Sequence, residues 1–417
     1  MASSNAFDFV EAGLAERLHA FEGRNFEELE RCLLGTTCQG EQLPRRGLSS
    51  LREGIERFER VMQQGDPSFD FYRVLLPRVR AWGLSAVEDG SLPLCRSGQP
   101  SRIELSRQRV RGLLAAAFFL GTVQHGTTGS LAFHSVYSVP CSEAEERVLC
   151  LLAYFHQAEE AGDGPAITIS RFRLDRADAP DWDTLKLPLA AARVRLHTGR
   201  MEESAAPVFF DFANRDLHIH RVIPSLTQEE VLFSMCPEAF AGIPCCERMR
   251  PDEVLVIDGV RRFAEYSGYL STFRFTGFHS TRPTIAILAA DAVMEQQFSE
   301  PHLRRDLDKA FLGFRAAGGR PVSTGHWGCG AFGGDRTLKF LQQVCAATAA
   351  GVDLDYSTFR DQETAAKLGA LLALAERKGV TVADLMQIVR RFPQTSSRIP
   401  FQDHVAAELA QPWPARG

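Results

Sequence analysis

Hydrophobic and polar positions follow two different rhythms along the 417 residues. Up to about residue 165 the rhythm is helical. Ser106-Arg-Gln-Arg-Val110 leads into Leu113, Leu114, Ala117 and Phe118, which repeat at the spacing of one helix face. Ser142-x-x-Glu145 has the spacing of a capping box, in which each side chain satisfies a free backbone N–H. Val148, Leu151, Leu152 and Phe155 then supply a buried stripe, and Ala161-Gly-Asp-Gly-Pro165 closes the region with turn chemistry.

Beyond it the rhythm changes. Ile167-Thr-Ile169 and Val194-Arg-Leu196 alternate apolar and polar residues, as half-buried strands do. Val208-Phe-Phe210, Val254-Leu-Val-Ile257 and Ile285-Ala-Ile-Leu288 are short unbroken apolar runs that suit strands covered on both faces. Helical stretches lie between them, one carrying Leu338, Leu341, Val344 and Cys345 and stopped by Gly351. Strands alternating with helices predict an α/β layer domain. The expected division is a helical accessory region over 1–165, an α/β domain over 166–395 and a tail over 396–417. With Pro400, Pro412 and Pro414 and little periodicity, the tail is expected to end loosely.

Composition narrows the function classes. Lys and Arg number 47 against 52 Asp and Glu, a net charge of −5. Coating a polyanion needs many Lys or Arg contacts to phosphate, so any phosphate is expected to bind locally in a shaped site. The ten cysteines form no C-x-x-C pair, which disfavours a structural zinc site and suggests a reducing compartment. Residues 113–123, the longest apolar stretch, fall far short of the ~20 a membrane span needs. The reading is of an intracellular, membrane-free protein.

Four constellations carry candidate chemistry. Val208-Phe-Phe-Asp-Phe-Ala-Asn214 ends a strand in Asp211 and Asn214, at the edge where open α/β sheets bind ligands. Gln228-Glu-Glu230 then opens a helix, and paired carboxylates are what glycosidic cleavage requires. Thr227-x-x-Glu230 is equally the spacing of a capped helix start. In Thr324-Gly-His-Trp-Gly-Cys-Gly-Ala-Phe-Gly-Gly-Asp335, five glycines follow a strand and precede a helix, a backbone able to approach a diphosphate. Its G-x-G-x-x-G match, with Asp353 near the place of a ribose-binding acid, stands beside the plainer reading of a tight turn. Glu265-Tyr-Ser-Gly-Tyr-Leu270 offers Tyr266 or Tyr269 for stacking, or simply a core tyrosine. His218-Ile-His220 on a strand would place two imidazoles on one face, without a third metal ligand in register.

In order, these segments resemble the poly(ADP-ribose) glycohydrolases. The likeness runs from Leu105-Ser-Arg-Gln-Arg-Val-Arg-Gly-Leu-Leu through the blocks above, Cys236-Pro-Glu238 and Tyr356-Ser-Thr-Phe359. The resemblance implies a three-layer α/β/α macrodomain with a mixed sheet behind a helical accessory domain. It implies Glu230 as general acid, Glu229 holding the leaving ribose hydroxyl, and Asp211 supporting the site. Asn214 and Gln228 match residues near the distal ribose, and Glu202 matches an adenine contact. Tyr269 matches a tyrosine that closes over the ligand, and Phe359 an aromatic that packs on it. His326, Gly328, Gly330 and Phe332 belong to the implied substrate-binding segment, whose Gly328–Gly334 backbone would cradle the diphosphate. No cofactor and no metal are implied. The implied partner is poly(ADP-ribose) or an ADP-ribosylated protein, in the nucleus or cytoplasm, without a nucleic-acid groove.

Two places depart from the family pattern. Three consecutive glycines expected between the first two blocks are absent from Asp216-Leu-His-Ile-His-Arg-Val-Ile-Pro-Ser-Leu226. Side chains there are expected to crowd a diphosphate, Pro224 to stiffen the loop, and His220 or Arg221 to offer replacement donors. His326 stands where the family has asparagine, a milder change. The expected activity is hydrolysis of ribose–ribose bonds with release of ADP-ribose. The alternative is a non-catalytic ADP-ribose reader, because His218-Ile219-His220 replaces the glycines.

Overall fold

The computed structural model describes residues 6–35, 47–280, 283–392 and 399–411. Eight strands form one mixed sheet: β1 (Ser101–Leu105), β2 (Ile167–Arg173), β3 (Val194–His197), β4 (Val208–Asp211), β5 (Glu253–Arg261), β6 (Thr284–Ala289), β7 (Val322–Thr324) and β8 (Leu354–Ser357). Their spatial order is β1-β2-β5-β6-β4-β7-β8-β3. From β6 through β3 neighbours run parallel, whereas the β1–β2, β2–β5 and β5–β6 pairs are antiparallel.

Side-chain alternation along the central strands builds two cores. Phe209, Leu255, Ile257 and Ile287 point to one face of the sheet, and Val208, Phe210, Val256 and Leu288 to the other. The first face is covered by α1 (Ser49–Gln63), α2 (Leu76–Asp89), α3 (Arg107–Phe118), α4 (Ser142–Gln157) and α5 (Gln228–Met235). The second is covered by α6 (Glu300–Ala316), α7 (Arg336–Ala350), α8 (Gln362–Arg377), α9 (Val382–Arg390) and α10 (Phe401–Ala410). The unbroken apolar runs are thus explained: both faces are shielded, giving the expected α/β/α layers. The second half of helix α3 is apolar all round because it is enclosed, with Leu113 through Phe119 all out of water. Each such Leu or Phe contributes roughly 1.5–3 kcal/mol of burial.

Three local expectations are corrected. The segment before residue 165 is not wholly helical, since β1 forms the sheet edge with Ile103 opposite Ile169. The Ser142–Glu145 capping box does not form. Cys141 is the N-cap, Ser142 Oγ turns to Glu143, and Glu145 is drawn 3.2 Å from Arg57 on α1. The tail folds back as α10, with Phe401, Val405 and Leu409 buried at helical spacing against the second core. Thr395, Pro412 and Pro414 lie outside the described residues. Among the described residues no helix is long and apolar enough to cross a membrane.

A buried charge cluster joins the helical layer to the sheet. Arg107, at the start of α3, donates from Nη1 to both Glu238 oxygens at 2.6 Å and from Nη2 to the Gly259 carbonyl at 2.6 Å. Arg261 on β5 reaches Glu238 at 3.0 Å through its side chain and 2.8 Å through its backbone N–H. Glu238 is therefore the shared anion of two guanidinium groups that lie almost wholly out of water. Substituting Glu238→Ala strands both cations and is expected to cost about 3–5 kcal/mol. The check is a shift of the urea unfolding midpoint, against a surface control such as Glu376→Ala.

Candidate active site

The carboxyl ends of the parallel strands assemble the site. β4 ends in Asp211 and runs on to Asn214, β7 ends in Thr324 and enters the glycine-rich segment, and β8 ends in Ser357 just before Phe359. The first turn of α5 brings Gln228, Glu229 and Glu230 to the same edge. Thr227 and Glu230 form a capping box there: Glu230 Oε2 accepts from the Thr227 N–H at 3.0 Å and from its hydroxyl. The capping and chemical readings of this motif are therefore compatible. Gln228 is clamped to the end of β4, accepting from the Phe212 N–H at 2.8 Å and donating to the Phe210 carbonyl at 3.1 Å.

Beside these groups opens a cleft of about 780 Å³. Of the residues expected at a site, Glu202, Gln228, Tyr269, His326, Gly330 and Phe359 line it. Tyr269 and Phe359 form its aromatic rim, with ring centroids 5.4 Å apart at 60°. Glu202 is buried and accepts from the Tyr266 hydroxyl at 2.9 Å, so Tyr266 is the buried tyrosine of the cleft wall and Tyr269 the half-buried one at its rim. Gly328 has φ +73°, and an added Cβ would lie 2.5 Å from the Ala292 Cβ, so glycine is required where the loop crosses Ala292. At Gly330 an added Cβ would meet nothing within 4 Å.

Several expected residues lie elsewhere. Phe332 packs half-buried against the second core rather than in the cleft. The Asn214 side-chain Oδ1 accepts from the Asp216 N–H at 3.1 Å and starts the following loop. Asp353 precedes β8, at the opposite end of the sheet from the glycine-rich segment, and pairs with Arg193 at 2.8 Å, so the dinucleotide fingerprint is a chance match. His218 and His220 do not lie on a strand but in a single turn. Among the described residues no group of three or more His, Cys, Asp or Glu is arranged to hold a metal ion. Sequence reasoning missed Arg336, Phe212, Cys329 and Ser357 in the cleft wall. The only signal for Arg336 was its place directly after the glycine-rich run, at the start of α7, where it pairs with Asp361 at 2.7 Å.

The segment lacking glycines adopts glycine-like backbone angles. His218, Ile219 and His220 have φ of +52°, +48° and +56°. For non-glycine residues this left-handed conformation costs roughly 1–2 kcal/mol each. Phe359 at the cleft rim and its neighbour Arg360, with Leu270 next to Tyr269, also have positive φ, so six of the eight such non-glycine residues among the described residues lie in or beside the site segments. Strain of this kind persists only where surrounding contacts over-determine it. Neither His218 nor His220 lines this cleft, and Asp211, Glu229 and Glu230 lie behind its wall rather than in it. The His218 ring is fully buried between Phe233 and Phe240, and His220 faces Asp216 at 3.6 Å.

Three carboxyl groups lose their water here. Burial, and then the nearby Glu230 charge, push Asp211 well above the usual carboxylate range, and neither of its oxygens has a hydrogen-bond partner. Glu229 is pushed up by burial and by the Asp211 and Glu230 charges, although its Oε1 accepts from the His218 N–H at 2.6 Å. Burial also works against the Glu230 charge, but the His218–Arg147 pair and the Thr227 hydrogen bond outweigh it and hold Glu230 below the usual range. Burial, with the Arg147 charge, lowers His218 to about 4, and burial lowers Arg147 to about 10. Burial and charge therefore favour a proton on Asp211 or Glu229 over one on Glu230.

With this geometry in place, two family models match the chain. The model described as poly(ADP-ribose) glycohydrolase (PARG), macro domain fold, covers residues 179–366, and that for the helical domain of the same family covers 64–171. The chain belongs to the poly(ADP-ribose) glycohydrolase family. Poly(ADP-ribose) glycohydrolase 1 of Caenorhabditis elegans is 29% identical over 323 residues, 70% of this chain and 40% of the relative. Poly(ADP-ribose) glycohydrolase 2 of the same organism is 28% identical over 305 residues, 66% of this chain and 62% of the relative. The chain thus spans less than two thirds of either relative. A solved poly(ADP-ribose) glycohydrolase of Deinococcus radiodurans in complex with ADP-ribose aligns over 45% of this chain and 83% of its own, with 16% identity and a TM-score of 0.32.

The Asp211 shift has a testable sign. Below about pH 4 an aspartate is protonated both folded and unfolded, so it imposes no pH-dependent penalty. As pH rises, the unfolded chain loses this proton while the folded protein keeps it, and stability falls. Asp211→Asn cannot titrate. Its Tm is expected to exceed that of the parent by a margin that is wider at pH 7 than at pH 4. An equal margin at both pH values would contradict the shift.

Proposed function

We propose that this protein hydrolyses the ribose–ribose glycosidic bonds of poly(ADP-ribose), free or on modified proteins, and releases ADP-ribose. The observation that carries this reading is the placement of Asp211, Glu229 and Glu230, buried together at the sheet edge beside an aromatic-rimmed cleft. Tyr269, Phe359 and Glu202 take the adenosine end of the terminal unit. The diphosphate lies between the glycine-rich segment and the turn at 217–221, with Arg336 as a nearby cation. Gln228, bonded through its side chain to the end of β4, positions the first turn of α5 rather than contacting substrate freely.

In this reading Glu230 serves twice. As acid it gives its proton to the leaving ribose oxygen while the bond to the anomeric carbon breaks and positive charge develops on that ribose. As carboxylate it then takes a proton from the water that attacks the same carbon. Substrate supplies what the free protein lacks for the first step. A diphosphate adds negative charge and a docked ribose excludes water, and both raise a carboxyl group held low by Arg147 and Thr227. A proton on Asp211 or Glu229 keeps the cluster from carrying three negative charges at once. No observation favours a reader that binds without cleaving, because the turn that prompted that alternative keeps a glycine-like backbone.

Recognition of one terminal unit fits the charge balance, since a shaped cleft needs no extended basic groove. Glu230→Gln is expected to lower polymer cleavage by about 10²–10⁴-fold. ADP-ribose affinity, measured by calorimetry, is expected to stay near that of the parent. Parent-like turnover by this variant would remove Glu230 from the acid role. Failure of the parent to bind ADP-ribose would remove the substrate assignment.

A further inference from the structure

Arg147 belongs to the helical region, yet its side-chain hydrogen bonds go to the site loop. It shares the buried face of α4 with Ala144, Val148 and Leu151, a position where an apolar residue is the ordinary occupant. Its Nη2 lies 3.1 Å from His218 Nε2. Its Nη1 donates to the Ile223 carbonyl at 2.6 Å and to the Ser225 carbonyl at 3.1 Å. One planar guanidinium therefore grips both ends of the loop that follows β4.

The other contacts of His218 make that grip specific. Nδ1 lies 2.8 Å from the Arg221 carbonyl, which only accepts, so Nδ1 carries the proton and Nε2 is free to accept from Arg147. The ring has Phe233 at 5.1 Å and Phe240 at 5.6 Å, while Arg147 lies over Phe240 at 5.7 Å. The backbone N–H of the same residue donates to Glu229. Side chain and main chain of His218 are thus both spoken for, at the first of three consecutive left-handed residues.

We infer that Arg147 is a positioning residue that holds the 218–225 loop in its glycine-like form through the neutral His218 imidazole. Glycine reaches this backbone by freedom; here anchoring at both ends of the loop replaces freedom. The inference rests on the proposed function for its consequence, which is that the helical region sets the loop beside the diphosphate and Glu229. Arg147 itself meets no substrate.

Two measurements separate the inference from the functional reading. Hydrogen exchange without ligand follows the peptide 216–226. In Arg147→Met that peptide is expected to exchange at least about tenfold faster, with the strands of the sheet unchanged. Calorimetry with ADP-ribose then follows the parent, Arg147→Met, His218→Gly and the double variant. The affinity lost on Arg147→Met is expected to be at least about fivefold smaller when residue 218 is glycine, because glycine needs no anchor. Equal losses in the two backgrounds, or unchanged exchange, would overturn the inference. If Arg147→Met does not fold, Arg147→Lys serves. It keeps the charge but, with one ammonium, cannot hold His218 and both carbonyls, so faster exchange is again expected and unchanged exchange overturns the inference. A parent that binds no ADP-ribose removes the functional reading, while the exchange result still decides the anchor.

Discussion

Arg147 and the carboxyl groups near it are held together in a place almost without water. Asp211 comes from the end of β4, Glu229 and Glu230 from the first turn of α5, and the guanidinium from α4 of the helical layer. A buried carboxylate is costly unless it is protonated, paired or hydrogen-bonded. All three solutions are at work within a few residues: burial that favours a proton on Asp211 or Glu229, a nearby cation, and the Thr227 and His218 donors. The arrangement exists only while the helical layer is docked, because the cation arrives with that layer. The Arg107–Glu238–Arg261 cluster fastens the same layer to β5. Chemistry at the sheet edge and cohesion of the two layers are therefore one electrostatic problem.

The loop after β4 shows how one backbone shape is reached in two ways. Three glycines take positive φ without steric penalty. His218, Ile219 and His220 take it at a cost, met by a buried ring with both nitrogens engaged and by a guanidinium spanning the loop. The glycine-rich segment after β7 solves a related problem differently, with Gly328 crossing Ala292 at a distance no side chain tolerates. Two stretches at one edge of the sheet thus reach a glycine-like backbone by anchoring in one case and by absence of a side chain in the other.

Much of this was legible from the chain. The central strands stood out because burial on both faces removes polar alternation, as in Val254-Leu-Val-Ile257. The carboxylate block and the glycine-rich run stood out because their residue types are unusual in combination. What escaped had physical reasons. β1 is a short edge strand whose exposed Arg102 and Glu104 give no apolar run. α10 has only three buried positions, Phe401, Val405 and Leu409, too few to outweigh the prolines around it. The Ser142 box failed because Arg57, distant in sequence, competes for Glu145. Phe332 was assigned to substrate from its place in a motif, yet the loop turns its ring into the second core.

The roles of the carboxyl groups came from the family resemblance; the sequence by itself determined the alternation of helices with the central strands and the presence of the carboxylate and glycine-rich blocks. These follow from local periodicity and from residue types that carry their chemistry wherever they lie. Only the tertiary structure decided which carboxyl groups burial pushes up, which tyrosine bonds Glu202, and where the His218 ring lies. Those outcomes depend on groups brought together from α4, α5 and the end of β4, with α4 more than 50 residues from the other two in the chain. Burial and charge act through space, and spacing along the chain does not report them.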